Sequence, residues 1–94
     1  MLNNLLIAEV IDCDCTHFSK GTKVAQYILE TGYTGPLDFE GCYVSAQFFT
    51  TLFSYLKKAE GLSRIENLEL LNLHKEMIQC MENTKYYCSV NNDI

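Results

Sequence analysis

The stretch of residues 35–61, GPLDFEGCYVSAQFFTTLFSYLKKAEG, decides the fold of this chain. It predicts a short buried strand at residues 37–39, a tight turn and one strongly apolar helix. Pro36 has a fixed φ and no N–H, so it suits the entry of a strand and not its middle. Gly41 can adopt the positive φ that a tight turn requires. The stretch is therefore predicted to be a strand–turn–helix unit.

The predicted helix begins after Ser45, whose hydroxyl can accept a hydrogen bond from a free N–H of the first helical turn. From Ala46 onward, five apolar residues have the spacing of one helical face: Phe48, Phe49, Leu52, Phe53 and Leu56. Lys57 and Lys58 suit the negative end of the helix dipole, and Gly61 suits the residue after the helix. We interpret the aromatic stripe as a core face, with a ligand pocket as the alternative.

The size and charge of the chain limit its class. The 94 residues are predicted to form one domain over residues 1–94, with roughly 60–65% of the unfolded surface buried. The chain has twelve acidic and seven basic residues, and Arg64 is its only arginine. Because Lys and Arg drive phosphate binding, we expect no nucleic-acid partner. We also expect no membrane partner, since no basic cluster is present and the longest apolar run is far below ~20 residues.

The start of the chain and its cysteines indicate a compartment. No basic segment precedes the apolar run at residues 5–8, so a signal peptide is not expected. The five cysteines are odd in number and lack the spacing of a disulfide framework. In a chain that can build its own core, this favours reduced thiols. We therefore predict a cytoplasmic protein.

The segments before the central unit predict a strand and a helix. Residues 5–11, LLIAEVI, form a near-continuous apolar run and are predicted to be a strand buried on both faces. The Cys-rich segment that follows is either a loop or a short second strand hairpinned onto the first. A helix is predicted over residues 20–31, with Ser19 as its N-cap and Gly32 after its end.

The segments after the central unit predict a third strand near residues 68–71 and a last helix. Asn72 or His74 is the candidate cap of that helix, which should fray near Asn83. Its predicted inward stripe consists of Met77, Ile78 and Met81. Residues 85–94 are predicted to be either an added edge strand or a loosely held tail.

The element order is therefore β-α-β-α-β-α, which is typical of a small α/β domain. Such alternation implies three to four mostly parallel strands joined by right-handed crossovers. With so few strands, we expect the helices to pack mainly on one face of the sheet. The other face would then be covered by the tail, by a partner or by nothing.

The strand–turn–helix unit resembles the STAS-like domains of bacteria. Asp38, Phe39 and Gly41 match the family pattern, Cys42 replaces its usual Val, and Ser45 and Phe48 fall on its first Ser and its Phe. Two further segments are similar to the family: Phe18, Ser19 and Gly21 to the opening of its first helix, and residues 68–73 to its closing strand and helix start.

The resemblance implies a regulatory α/β module that binds a protein partner and is not an enzyme. The related anti-sigma-factor antagonists are often switched by phosphorylation of a serine at this helix start. STAS-like domains often occur with histidine-kinase-type ATPase domains, so such an ATPase or another regulator is the implied partner. The family's serine run is reduced here to Ser45 followed by Ala46 and Gln47, and the Asp that precedes the phosphorylated Ser is missing.

The candidate partner surface is the turn and the first turn of the central helix. It contains Glu40, Gly41, Tyr43, Ser45 and Gln47, extended along the expected exposed helix face by Thr50, Thr51 and Ser54. Ser45 is the possible phospho-acceptor, because free N–H groups and the helix dipole would stabilise an added phosphate. The alternative is a plain N-cap hydroxyl. Asp38 either orients the loop or is a solvated turn carboxylate. A homo-oligomer is possible.

The alternative function is that of a small metal- or redox-responsive protein. Cys13, Cys15 and His17 alternate, so their side chains would point the same way in an extended segment. Thiolates and imidazole are zinc ligands, but a structural site needs four, and Cys88 or His74 would have to supply the last. The leading prediction includes no metal and no cofactor.

Other chemistry lacks a motif in this sequence. Cys42 and Cys80 are most simply small core residues. The chain contains neither a G-x-S-x-G nucleophile elbow nor a glycine-rich phosphate loop. We therefore predict no active site and no catalytic residues.

Overall fold

The computed structural model of the chain describes residues 5–10, 14–15 and 18–90. Cys13, His17 and residues 91–94, for which predictions were made, lie outside the described residues. The helices and strands within the described residues are β1 (Leu5–Leu6), α1 (Ile7–Val10), β2 (Asp14–Cys15), α2 (Phe18–Thr31), β3 (Leu37–Asp38), β4 (Tyr43–Val44), α3 (Ala46–Glu60), α4 (Leu62–Glu66), β5 (Leu70–Leu71) and α5 (Lys75–Val90).

Helix α3 has the predicted start, length and end. Ser45 is extended, with φ −116° and ψ 172°, and its Oγ accepts a hydrogen bond from the Phe48 N–H at 3.5 Å. Gly61 follows the helix with φ 92°, and its N–H donates to the Lys57 carbonyl at 2.8 Å. A positive φ is costly for a residue with a Cβ, so a glycine suits this position. The predicted cap, helix and terminating glycine are confirmed.

The predicted stripe of α3 forms the centre of the core. Phe48, Phe49 and Phe53 have no exposed surface, and neither has Phe39, which follows β3. The ring of Phe39 meets that of Phe48 edge-on, with centroids 5.7 Å apart, and Phe49 stacks on Phe53 at 5.8 Å. Both arrangements are favourable for aromatic pairs. The interpretation of the stripe as a core face is confirmed.

The described strands form two small parallel sheets. β3 lies between β1 and β5 in a three-stranded sheet, with Leu37 in register with both Leu5 and Leu70. β2 pairs with β4 in a second sheet, where Cys15 is in register with Val44. The second strand therefore exists but is not hairpinned onto the first. A single compact α/β domain with a three-stranded parallel sheet agrees with the prediction.

The predicted first strand is wrong beyond Leu6, because α1 follows it directly. The partner strand β3 ends at Asp38, where the chain turns and the Cys42 N–H donates to the Phe39 carbonyl. Among the described residues no neighbouring strand then extends the ladder, and helical hydrogen bonds satisfy the backbone instead. Periodicity alone does not distinguish a buried strand from a short buried helix.

The prediction for the end of the chain is also wrong, because residues 85–90 are helical and not an edge strand or a loose tail. Helix α5 passes the expected fraying point at Asn83 and continues to Val90. Cys88 is fully buried, and the Lys57 ammonium donates to its carbonyl at 2.5 Å. A cation at a helix C-terminus satisfies carbonyls and opposes the dipole. Long-range packing therefore holds this last turn.

The inward stripe of α5 is partly as predicted. Met77 is buried and Met81 packs against the core, but Ile78 is 43% exposed. The carbonyl of His74 accepts the first helical bonds, so His74 precedes the helix. Asn72 is not the cap, because its side-chain amide donates a hydrogen bond to Asp38.

Gly21 lies where α2 and α3 approach most closely. A Cβ at this position would clash with the Thr51 Oγ1 and would lie 2.5 Å from the Phe48 carbonyl oxygen. A glycine inside a helix ordinarily weakens it, but the lack of a side chain at Gly21 is what allows the two helices to pack.

We predict that Gly21→Ala destabilises the protein by at least about 2 kcal/mol, because backbone and side chain of α3 would have to move. In an ordinary helix interior the same change stabilises by roughly 0.5–1 kcal/mol. Urea unfolding of the variant measures the difference, with Gln26→Ala on the exposed side of α2 as the control. A Gly21→Ala protein as stable as the wild type would show that the helices do not approach this closely.

Candidate functional site

The carboxyl ends of β3 and β5 lie side by side because these two strands are parallel neighbours. The loop after each strand contains a residue with positive φ: Gly41 at 76° and Asn72 at 58°. A non-glycine residue in this region is uncommon, and asparagine is among the residues that tolerate it best. The two loops therefore leave the sheet at one edge by sharp turns.

Asp38 joins the two loops. Its Oδ1 accepts a hydrogen bond from the Glu40 N–H at 3.0 Å and another from the Asn72 Nδ2 at 2.8 Å. The Phe39 N–H also donates to the Leu71 carbonyl at 2.9 Å. Of the two roles considered for Asp38, the structure shows the one in which it orients the loop. Hydrogen bonds to an ionised carboxylate are stronger than neutral ones, so this contact holds the edge together.

A cavity of about 270 Å³ opens between these loops. It is lined by Phe39, Gly41, Cys42, Tyr43, Asn72 and His74. Tyr43 is 56% exposed, whereas the neighbouring Cys42 and Val44 are buried. In open α/β sheets, ligands bind outside the carboxyl ends of the strands, and this cavity has that position.

The predicted turn residues lie at this edge of the sheet or at the adjoining start of α3. Glu40, Gly41, Tyr43 and Gln47 are exposed, and Ser45 is half-buried between the turn and the helix. Asn72 and His74, both exposed, were not predicted as part of the partner surface. The parallel order of the strands was the signal that could have found them, since it brings the loop after β5 beside the loop after β3.

The expected exposed face of α3 is not free. Thr50, Thr51 and Ser54 are half-buried, because α3 lies between α2 and α5. The Thr51 hydroxyl donates to the Gln47 and Phe48 carbonyls and faces Gly21 of α2. Ser54 Oγ lies 3.9 Å from the Cys88 Sγ of α5. The candidate surface therefore stays at the turn and does not extend along the helix.

Asp14 and Cys15 are the described part of the Cys-rich segment, and they pair with β4 beside this turn. Cys15 pairs through β2 with Val44, the residue before Ser45. Cys13 and His17 lie outside the described residues, so the predicted three-ligand cluster stays a prediction. Within the described ranges, no three His, Cys, Asp or Glu residues lie close enough together to hold a metal ion.

The two proposed fourth ligands differ in environment. Burial raises the pKa of the Cys88 thiol, an effect that the Ser54 hydroxyl and the Lys57 charge oppose. A thiol with a raised pKa is a poor metal ligand, because the thiolate is the ligating form. His74 is exposed at the opposite end of α5. Cys42 is buried and Cys80 packs against the core, as small core residues do.

Several exposed side chains at this site can form apolar contacts or hydrogen bonds with a bound molecule. Tyr43 presents a large ring and a hydroxyl, Glu40 a carboxylate and His74 an imidazole. Tyrosine combines apolar area with a hydrogen-bonding group and is enriched at protein interfaces.

Neither a scan against protein-family models nor searches of curated proteins and of solved structures found a match for this chain. In the part of the chain that the structure describes, no helix has the length and apolar character to cross a membrane.

Proposed function

We propose that this chain is a non-enzymatic regulatory module of the STAS-like type that binds a protein partner. The observation that carries the proposal is the Asp38–Asn72 hydrogen bond, which holds two loops around the exposed Tyr43. Because this hydrogen bond orders the loops before a partner binds, binding would cost little conformational entropy.

The proposed partner surface contains Glu40, Gly41, Tyr43, Ser45 and Gln47, together with Asn72 and His74. The first five were chosen from the sequence, and the last two are added because they line or border the same cavity. The sequence resemblance supports a bacterial histidine-kinase-type ATPase or another regulator as the partner. A large exposed tyrosine beside a cavity supports Tyr43 as the main contact.

Site-specific photo-crosslinking in cells of the source organism tests this surface. A photoreactive phenylalanine analogue is placed at position 43, and at position 27 in a control chain, where Tyr27 is 40% exposed on α2. We expect position 43 to crosslink to one defined protein and position 27 not to. After that protein has been purified, we expect Tyr43→Ala to weaken its binding about tenfold or more, and Tyr27→Ala to leave it unchanged.

The proposal is contradicted if both positions crosslink to the same mixture, or if Tyr43→Ala binds the purified protein as tightly as the wild type. If the captured protein is an ATPase of the histidine-kinase type, this would support the proposed identity of the partner. Any enzymatic turnover by the isolated chain would exclude the non-enzymatic class.

The helix start supports a second, regulatory part of the proposal. Ser45 combines an N-cap position with partial exposure, so a phosphate there would sit at the positive end of the α3 dipole. A phosphate would also add negative charge to the proposed partner surface, which already contains Glu40.

We predict that Ser45→Asp abolishes partner binding while Ser45→Ala preserves it. Asp is as good an N-cap as Ser, so the Asp variant should stay folded, whereas the Ala variant should lose about 1 kcal/mol of stability. Isothermal titration calorimetry measures binding, and urea unfolding shows that both proteins are folded. Equal binding by the two variants would rule out the switch.

A further inference from the structure

Helix α5 carries most of the large apolar side chains that the described residues expose: Ile78 at 43%, Tyr86 at 69%, Tyr87 at 52% and Val90 at 59%. At 3.6 residues per turn, Ile78 and Tyr86 share the side of the helix that holds Met81, Glu82 and Lys85, whereas Tyr87 and Val90 lie away from it. We call the side with Ile78, Met81, Glu82, Lys85 and Tyr86 the outer side of α5. Tyr86 follows the buried Met77 by nine residues, or two and a half helical turns, and so points away from the core. Ile78 and Tyr86 are about two turns apart on this side, and exposed apolar side chains that share a face mark an interaction site more often than single ones do.

A groove of about 460 Å³ lies beside Tyr86. Its lining contains Met81, which packs against the core, and charged groups of both signs from Glu66, Glu82 and Lys85. A half-buried methionine in such a groove can adapt its shape to an inserted aromatic ring. The exposed Tyr86 and a groove able to accept such a ring therefore lie next to each other on one surface.

This surface is complementary to itself. In a two-fold dimer the same patch of both copies forms the interface, so a residue that contacts a second residue of the other copy is matched by the reverse contact. If two α5 helices pack antiparallel about the point midway between residues 82 and 85, Glu82 faces Lys85 of the second copy. The same arrangement places Tyr86 opposite Met81 of the second copy.

We propose that the outer side of α5 is the interface of a homodimer of this chain. The charge pattern is the argument for a second copy as the occupant. The chain has a net charge of −5, so two copies repel one another overall, whereas the antiparallel arrangement places Glu82 of each copy opposite Lys85 of the other. The proposal does not depend on the partner site at the sheet edge, which is formed by other residues.

The dimer should be weak and reversible. α5 has 16 residues and is therefore about 24 Å long. One pair of helices of this length offers less contact than the ~800 Å² per partner of a standard interface. We therefore expect a dissociation constant in the micromolar range and mostly monomer at high dilution.

Sedimentation equilibrium over a concentration series tests the proposal. We expect the wild type to form dimers reversibly and Tyr86→Ser to raise the dissociation constant about tenfold or more. Tyr27→Ser, at the exposed tyrosine of α2, is the matched control and should dimerise as the wild type does. Circular dichroism confirms that each variant is folded.

Charge reversal gives the decisive comparison. Glu82→Lys and Lys85→Glu should each dimerise less than the wild type, because like charges would face each other. An equimolar mixture of the two variants should form heterodimers, because every facing pair is then opposite in charge. A wild type that stays monomeric at millimolar concentration overturns the proposal and leaves this face for a different protein. A mixture that associates no better than the single variants overturns it as well.

Discussion

The packing of the α3 aromatic stripe against Phe39 is the contact on which the rest of the structure depends. Phe39 directly follows β3, and Phe48 lies in the first turn of α3, so the chain must reverse within the few residues between them. Burying one phenylalanine contributes roughly 1.5–3 kcal/mol, and both rings are fully buried. The turn therefore has to be tight, and it contains a glycine with positive φ and a serine cap.

The same constraint explains why Tyr43 is exposed. Between the two phenylalanines, Cys42 and Val44 are drawn into the core, and the extended backbone of β4 turns the residue between them outward. Asp38 then holds this turn against the loop after β5. A buried aromatic contact thus determines the shape of an exposed surface, and this is the physical basis of the proposed partner site.

The local pattern of the sequence predicted the centre of the structure well. Ser45, the five-residue stripe and Gly61 each act locally, so a short window of sequence was enough to predict α3. The errors lie where distant residues decide the outcome. The apolar run from Leu5 becomes a helix because β3 ends early, and the last turn of α5 persists because Lys57, 31 residues away from Cys88, reaches its carbonyl.

The candidate site was likewise predictable where local sequence decides it and not where distant residues do. The turn residues could be chosen from their place before an N-cap, but Asn72 and His74 join them only through the pairing of β3 with β5. The expected face of α3 was lost because Thr51 packs against α2 and Ser54 against α5. The period of a helix shows which residues share a face, but not how many neighbouring helices cover its sides.

Native-state hydrogen exchange of the backbone amides tests the central role of α3 most directly. If the aromatic stripe holds the fold together, the amides of Leu52 and Phe53 should exchange only through global unfolding. Amides of α1 and the last turn of α5 should then open at lower free energy. Slower exchange in α2 or α5 than in α3, or opening of α3 while the other helices stay protected, would contradict this account.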